Sequence, residues 1–437
     1  MIREPLVFAA LTDIAGKLRG KGFPAAQLDT RQRSGIGWTP TNVQITCFDA
    51  IAPSPYGALG DLVLVPEPGS RATVDFQDGR PPEDMMLGDV RSLEGEPWEC
   101  CTRSILRGAL DRLERVAGLR VRGAFEQEFQ LTGAAVPPGW AYSHAGFAAQ
   151  APFLGAVMAG LGQAGLTPDS IMKEYGDNQY EVTIAPEEGV RVADAATYVR
   201  MIVQQAALGL GERATFTPIL DPKGVGNGVH IHLSFLDAEG RPATWDPDGP
   251  SGMSRQTGAF VAGILRHLGS IVAITAPSAI SYLRLTPHRW SAAFNNLGFR
   301  DREASVRICP VAGDTPEAVA RRYNFEFRAA DATASPHLAL AAILHAGAQG
   351  IEDGLPAPSA TEEDLAELSP EDLARRGYER LPASLEEALD RFEADEVVRA
   401  WFPGRFSEVY LAHKRFEAAM MADKSIADRC AAYAGVY

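Results

Sequence analysis

Residues 226–235, "GNGVHIHLSF", set His230 and His232 two apart in an apolar, β-branched run after a glycine-flanked asparagine. Residues two apart on a strand share a face, so both imidazoles project the same way just beyond a flexible turn. Acids recur at the same spacing. In "FEQEFQL", Glu126 and Glu128 share one face, with Phe125, Gln127 and Phe129 on the other. Like charges in that register repel, so solvent over an open sheet face or a divalent cation must compensate. "KEYGDNQYEV" carries Glu174 and Glu181 on either side of a Gly-Asp-Asn turn. That is either a plain polar turn or a hairpin-like return that brings two more carboxylates together. In "YNFEFRAAD", Glu326 and Arg328 share a face of an aromatic strand. An acid there needs a salt-bridge partner or a metal, because an unpaired buried charge is costly. Glutamates with at most one imidazole form a hard donor set, suited to Mg²⁺ or Mn²⁺ rather than zinc. The loop "GVGNG" matches no phosphate-loop pattern.

A basic set follows. Arg284, Arg302 and Arg307 lie in a segment broken by Pro and Gly, and Arg321, Arg322 and Arg328 come after it. Guanidinium forks recognise carboxylate and phosphate, although a salt-bridged surface uses them equally well. Together with the acids they make up the equipment for phosphoryl transfer to a carboxylate. Cations neutralise nucleotide phosphates while arginines hold the acid and the moving phosphoryl group.

The elements that must position these residues alternate irregularly. Residues 1–101 are β-rich, with "TNVQITCFDA" and "LGDLVLVPEPGSRATVDF" as short β-branched runs. From Thr102 the period becomes helical, with Ile105, Leu106, Ala109, Leu110 and Leu113 on one face. A boundary here gives a small domain, 1–101, and a large one, 102–437. The large part reads as strands at "LRVRGAFEQEFQL", "NQYEVTIAP", "GVHIHLSF", "EASVRICP" and "YNFEFRAAD", interleaved with long helices, and the tail from Thr361 is acidic and helical. The fold class is α+β. A length of 437 residues and a net charge of −15 argue for two or three domains and against a nucleic-acid-binding surface. Five cysteines, an odd number without metal-type spacing, point to a reducing compartment. No signal segment is read at the N-terminus, and no apolar run of about 18 residues suggests a membrane span. A cytoplasmic protein without membrane partners is expected.

The ordered set "FEQEF", Glu174 through "NQYEV", "GNGVHIHLS", "SYLRLTP", "REASVRI" and "FEFRAADATASPHLALAAILHAGAQGIEDGL" resembles the glutamine synthetase family over nearly all of the chain. The resemblance implies a small N-terminal β-grasp domain and a large catalytic α+β domain. It also implies a homo-oligomer of two stacked rings, expected as a dodecamer, with active sites between neighbours. It implies ATP as co-substrate and two Mg²⁺ or Mn²⁺ ions per site, with Glu128, Glu174 and Glu181 holding one and Glu126, His230 and Glu326 the other. His232 and Ser234 would lie beside the nucleotide. Arg284 and Arg328, with Gly226 in the adjoining loop, would hold the acid, and Arg302 and Arg307 the phosphoryl group. Asp49 and Asp61 resemble acids that a neighbouring subunit contributes to the ammonium site.

Three departures stand out. The family's flap glutamate, six residues after the arginine matched by Arg284, is Trp290 here; the asparagine of the acid-binding loop falls at Val225; and the loop between Asp49 and Asp61 is two residues short. A tryptophan shields but takes no proton. The expected reaction is therefore ATP-dependent joining of glutamate to an organic amine through an acyl phosphate, giving a γ-glutamylamide. Ordinary glutamine synthesis from ammonia is one alternative, and a catalytically inactive structural or regulatory oligomer is another. The intact ligand set argues against the inactive form, and the arginines argue against a metal-dependent phosphohydrolase.

Overall fold

A computed structural model describes residues 3–133 and 139–437. The small domain is a six-stranded sheet of β1 (Leu6–Thr12), β2 (Leu18–Pro24), β3 (Ile36–Trp38), β4 (Leu62–Pro66), β5 (Ala72–Val74) and β6 (Glu83–Arg91). The order is β2-β1-β6-β4-β3, with β5 added on β6, and the central β1–β6 pair is parallel. One face closes on Val7, Ala9, Leu11, Met86 and Val90, against which Leu28 of the helix Leu28–Ser34 packs. The other face, through Ala10, Met85 and Leu87, joins the core of the large domain. A strand pair buried on both faces explains why Met85, Met86 and Leu87 of β6 are consecutively apolar rather than alternating.

The large domain is built on a ten-stranded sheet: β7 (Arg120–Thr132), β8 (Pro168–Lys173), β9 (Gln179–Ile184), β10 (Glu187–Glu188), β11 (Arg213–Thr215), β12 (Val229–Leu236), β13 (Leu297–Gly298), β14 (Val306–Ile308), β15 (Phe325–Ala330) and β16 (Ala360–Thr361). Its order is β16-β13-β14-β15-β12-β7-β9-β8, with β10 and β11 also on β7. The helices Thr102–Ala117, Arg191–Gly209, Arg255–Thr275 and Pro336–Glu352 form the layer behind it. On β7 the predicted alternation holds: Phe125, Gln127 and Phe129 are buried, and the Gln127 amide donates to the Ala196 carbonyl of the helix behind at 3.0 Å. Glu126 and Glu128 therefore face the other way.

One sequence expectation needs correction and another a qualification. "TNVQITCFDA" is no strand. Pro40–Gln44 is a 3₁₀ turn, and the Thr46 backbone closes a tight loop in which Asp49 takes φ 59°. Pro40 has no N–H to give a ladder, and the β-branched residues pack singly instead. The helix Arg255–Thr275 is, by length and composition, apolar enough to cross a bilayer, but 72% of its apolar window is buried in the fold, so it is a core helix.

A buried polar chain ties the two domains together. Thr12 at the end of β1 bonds His337 Nδ1 at 2.7 Å and Ser335 Oγ at 3.0 Å. His337 Nε2 lies 2.8 Å from Asp194, whose two oxygens accept from Arg103 at 2.9 and 2.7 Å. Burial raises the Asp194 pKa, but Arg103 and His337 outweigh it and hold the carboxyl below its usual range. Thr12→Val keeps the shape but strips His337 and Ser335 of a partner. It is expected to cost about 1–2 kcal/mol, read by chemical denaturation. An unchanged midpoint would show the bond to be dispensable.

Candidate active site

Strand pairing assembles the site. Glu126 on β7 sits opposite His230 on β12, and Glu128 opposite Glu181 on β9. His232 sits opposite Glu326 on β15, which in turn faces Arg307 on β14. Four adjacent registers thus set carboxylates, imidazoles and a guanidinium on the sheet face away from the helices. Glu174 follows the end of β8, and the β8–β9 return brings it back towards Glu181, as the hairpin reading expected.

Side-chain contacts are short. His230 Nδ1 lies 2.6 Å from Glu126 Oε1, and Glu126, Glu181 and His230 offer ligand atoms all within 4.8 Å of one another. His232 Nε2 lies 3.4 Å from Glu126 and 3.2 Å from Glu326, so the second imidazole bridges the two acids. Arg307 Nε and Arg328 Nη1 both donate to Glu326 Oε1, at 2.5 and 2.6 Å. Glu128 accepts from the Gly228 N–H at 2.7 Å. Glu174 accepts from the Tyr142 hydroxyl at 2.5 Å and the Tyr175 N–H at 3.1 Å. Ser234, on the same face of β12 as His232, donates to the Arg122 carbonyl at 3.3 Å.

The electrostatics show which acids are stressed. Burial, then the charges of Glu126, Glu128 and Glu174, push Glu181 up to about 10. Burial also raises Glu128. Glu126 and Glu326 go the other way: burial raises them, but the imidazoles outweigh it for Glu126, and the imidazoles with Arg328 and Arg307 for Glu326, which falls to about 2. Acids crowded until one of them keeps its proton, with one imidazole among them, fit a divalent cation bound by oxygen.

This has a consequence for stability. At pH 7 native Glu181 holds a proton that the unfolded chain, with an ordinary glutamate pKa of ~4.3, has released. Its contribution to stability therefore falls as pH rises from ~4.3 to about 10. In EDTA, Glu181→Gln is expected to be more stable than the parent. The gap should widen between pH 6 and pH 9 by up to about 1.4 kcal/mol per unit. A gap that is constant with pH, measured by denaturant titration, would refute the raised pKa.

The arginines expected to hold the acid are deeply placed. Arg284, 4% exposed, donates to Ser291 Oγ at 2.8 Å and to the Ala330 carbonyl at 2.5 Å. Gly226 is required beside it: a Cβ there would lie 2.8 Å from Arg284 Cγ. The neighbouring Asn227 turns inward, accepting from Gln179 Nε2 at 2.9 Å and donating to the Thr217 carbonyl at 2.8 Å. Val225 is exposed. Arg328 also donates from Nη2 to the Trp290 carbonyl at 3.1 Å. Trp290 itself is 63% exposed at φ 54°, its N–H held by Glu303 at 3.0 Å.

Three expected residues are not gathered in. Arg302 lies exposed in the turn before β14. Asp49 and Asp61 are exposed on the small domain, and Asp49 is met at 3.3 Å by Arg19. Other residues at the site went unread in the sequence. Tyr142, Tyr175, Ser291 and Asn324 carried no pattern. Cys309, whose Sγ lies 3.5 Å from His232 Nδ1, did carry a signal, since it sits two residues after Arg307, just beyond the end of β14.

Comparison with known proteins identifies the family. The family model for the glutamine synthetase catalytic domain matches residues 99–427, and that for the glutamine synthetase N-terminal domain matches residues 4–98. A gamma-glutamylpolyamine synthetase of Streptomyces coelicolor is 32% identical over 405 residues, covering 90% of this chain and 85% of that protein. A glutamate–isopropylamine ligase of a Pseudomonas species is 29% identical over 433 residues, covering 93% and 89%. A solved crystal structure described as a novel glutamine synthase homolog superposes with a TM-score of 0.92 at 42% identity, covering 100% of this chain and 99% of that one. Two matched domains spanning nearly the whole sequence place this chain in the glutamine synthetase family of ATP-dependent ligases.

Proposed function

We propose that this protein joins glutamate to an organic amine, forming a γ-glutamylamide at the expense of ATP. The observation that carries the reading is the position of residues 290 and 291. The Trp290 carbonyl accepts from Arg328 and the Ser291 hydroxyl from Arg284, so the segment that carries the indole is tied to the two arginines assigned to the acid, and the exposed indole itself lies against Tyr175. The named activities of the Streptomyces and Pseudomonas relatives, both with organic amines, support it.

In this reading Arg284 and Arg328 bind the glutamate. Its γ-carboxylate oxygen attacks the γ-phosphorus of ATP; the new O–P bond forms as the bond to ADP breaks. Arg307, with Arg302 folding in from its turn, offsets charge on the transferred group. Glu128, Glu174 and Glu181 would hold one Mg²⁺ or Mn²⁺, and Glu126, His230 and Glu326 a second. Bound, these ions supply charge neutralisation at the phosphates. His232 and Ser234 border the nucleotide. The neutral amine then attacks the acyl carbon, phosphate leaves with the C–O bond pair, and one proton passes to a carboxylate. Asp49 and Asp61, exposed on the small domain, would serve a neighbour's site for that step.

Phosphate release with ATP, Mg²⁺ and glutamate against a panel of amines that includes ammonium tests the reading. Turnover is expected to be best with an organic amine, and no amine-dependent release would end it. The shared site predicts a ring oligomer, expected as a dodecamer. Sedimentation at assay concentration checks this, and a fully active monomer would refute it.

A further inference from the structure

We infer that Tyr175 is a specificity-determining residue: with Tyr142 and Trp290 it forms a continuous aromatic wall that selects a primary monoamine with an extended apolar body. The inference rests on the ligase reading and narrows its amine. Tyr175 stands between the other two rings, with centroids 5.1 Å from Tyr142 and 6.0 Å from Trp290. Their exposures are 57, 61 and 63% for Tyr142, Tyr175 and Trp290, so this is an open apolar surface and not part of the core. Exposed ring clusters of this kind mark a site of contact.

The wall is anchored at both ends to the reaction site. The Tyr142 hydroxyl and the Tyr175 N–H take one oxygen each of Glu174. The Trp290 carbonyl takes Arg328. Tyr142 at φ 51° and Trp290 at φ 54° both hold left-handed backbone, a conformation that costs ~1–3 kcal/mol and gathers at functional sites. The rings thus run from a metal-ligand candidate to the arginine assigned to the acid. An amine whose nitrogen reaches the acid's γ-carbon would lay its body along them.

The chemistry favours a monoamine over a diamine. A distal ammonium would gain little from ring faces this exposed, and it would want a carboxylate beyond Asp49 and Asp61 of the partner subunit, which the ligase reading gives to the reacting nitrogen. Glu303, the acid bonded to Trp290, already engages both oxygens, with the Trp290 N–H at 3.0 Å and the His288 N–H at 2.9 Å. Methylenes gain from ring contact without such a partner, at up to about fourfold in affinity each if fully buried.

The test is kcat/KM along the series methylamine, propylamine, butylamine, pentylamine and phenethylamine, with 1,4-diaminobutane as comparator. The parent is expected to rise about two- to fourfold per methylene. Tyr175→Ala is expected to flatten that rise while leaving methylamine within about twofold, and Tyr175→Phe to retain it. A slope that survives Tyr175→Ala, or an equal loss for methylamine and pentylamine, would overturn the role of Tyr175. A diaminobutane rate above that of butylamine would overturn the apolar selection. Parent turnover with no amine at all would fail the ligase reading itself, and this inference with it.

Discussion

Glu128→Gln is expected to lower kcat by ~1,000-fold or more while leaving the fold and the parent's state of association intact. The size follows from what the carboxylate does. It lies opposite Glu181 in the strand register, near the Arg284 charge, on the face where phosphoryl charge would develop. Losing one fixed electrostatic contact at such a site already costs about 100–1,000-fold, and losing a cation's ligand should cost at least the upper figure. The amide is chosen because its oxygen can still accept the Gly228 N–H that Glu128 holds at 2.7 Å. An alanine would leave that donor without its partner and confuse a folding defect with a catalytic one. Burial already strains the ionised acid, so neutralising it should not weaken the fold. Circular dichroism and sedimentation matching the parent, with turnover gone, are the expected pair of results. Parent-like turnover would remove Glu128 from the site.

How much of this was legible beforehand depended on whether a residue's role was periodic. Glu126 and Glu128 were readable because a strand fixes alternate faces. The same rule gave His230 with His232 and Glu326 with Arg328, and the buried Phe125 and Phe129 behind β7 confirm it. Which strands lie side by side was not readable. The β12-β7-β9 order brings three sequence-distant segments together; the family resemblance grouped their residues as ligands but gave no strand order. "TNVQITCFDA" misled because β-branched content was read without weighing Pro40 and the left-handed Asp49. Tyr142 and Tyr175 were invisible for a different reason. They sit in turns, where no period applies, and their meaning comes only from the rings they touch.

Trp290→Glu is expected to shift the preference between an organic amine and ammonium by about tenfold to a few hundredfold towards ammonium. A charged ammonium needs a carboxylate to bind it and a base to take its proton. The indole supplies neither. It supplies apolar area, in which a few buried methylenes at about 0.8 kcal/mol each would favour an alkylamine, and a ring face that can still attract a protonated amine. The substitution is clean on two counts. The left-handed φ of 54° is already borne by a residue with a Cβ, so glutamate adds no new backbone strain. The contact to Arg328 uses the main-chain carbonyl, which every side chain retains. One confounding effect is checkable: a new carboxylate near Arg328 could draw it from the acid substrate, which would raise the KM for glutamate. The diagnostic quantity is therefore the ratio of kcat/KM values for the best organic amine and ammonium at saturating glutamate, where such a change cancels. If ammonium is already the best amine of the parent, or if the ratio is the same in both proteins, Trp290 is only a lid and the choice of amine is made elsewhere.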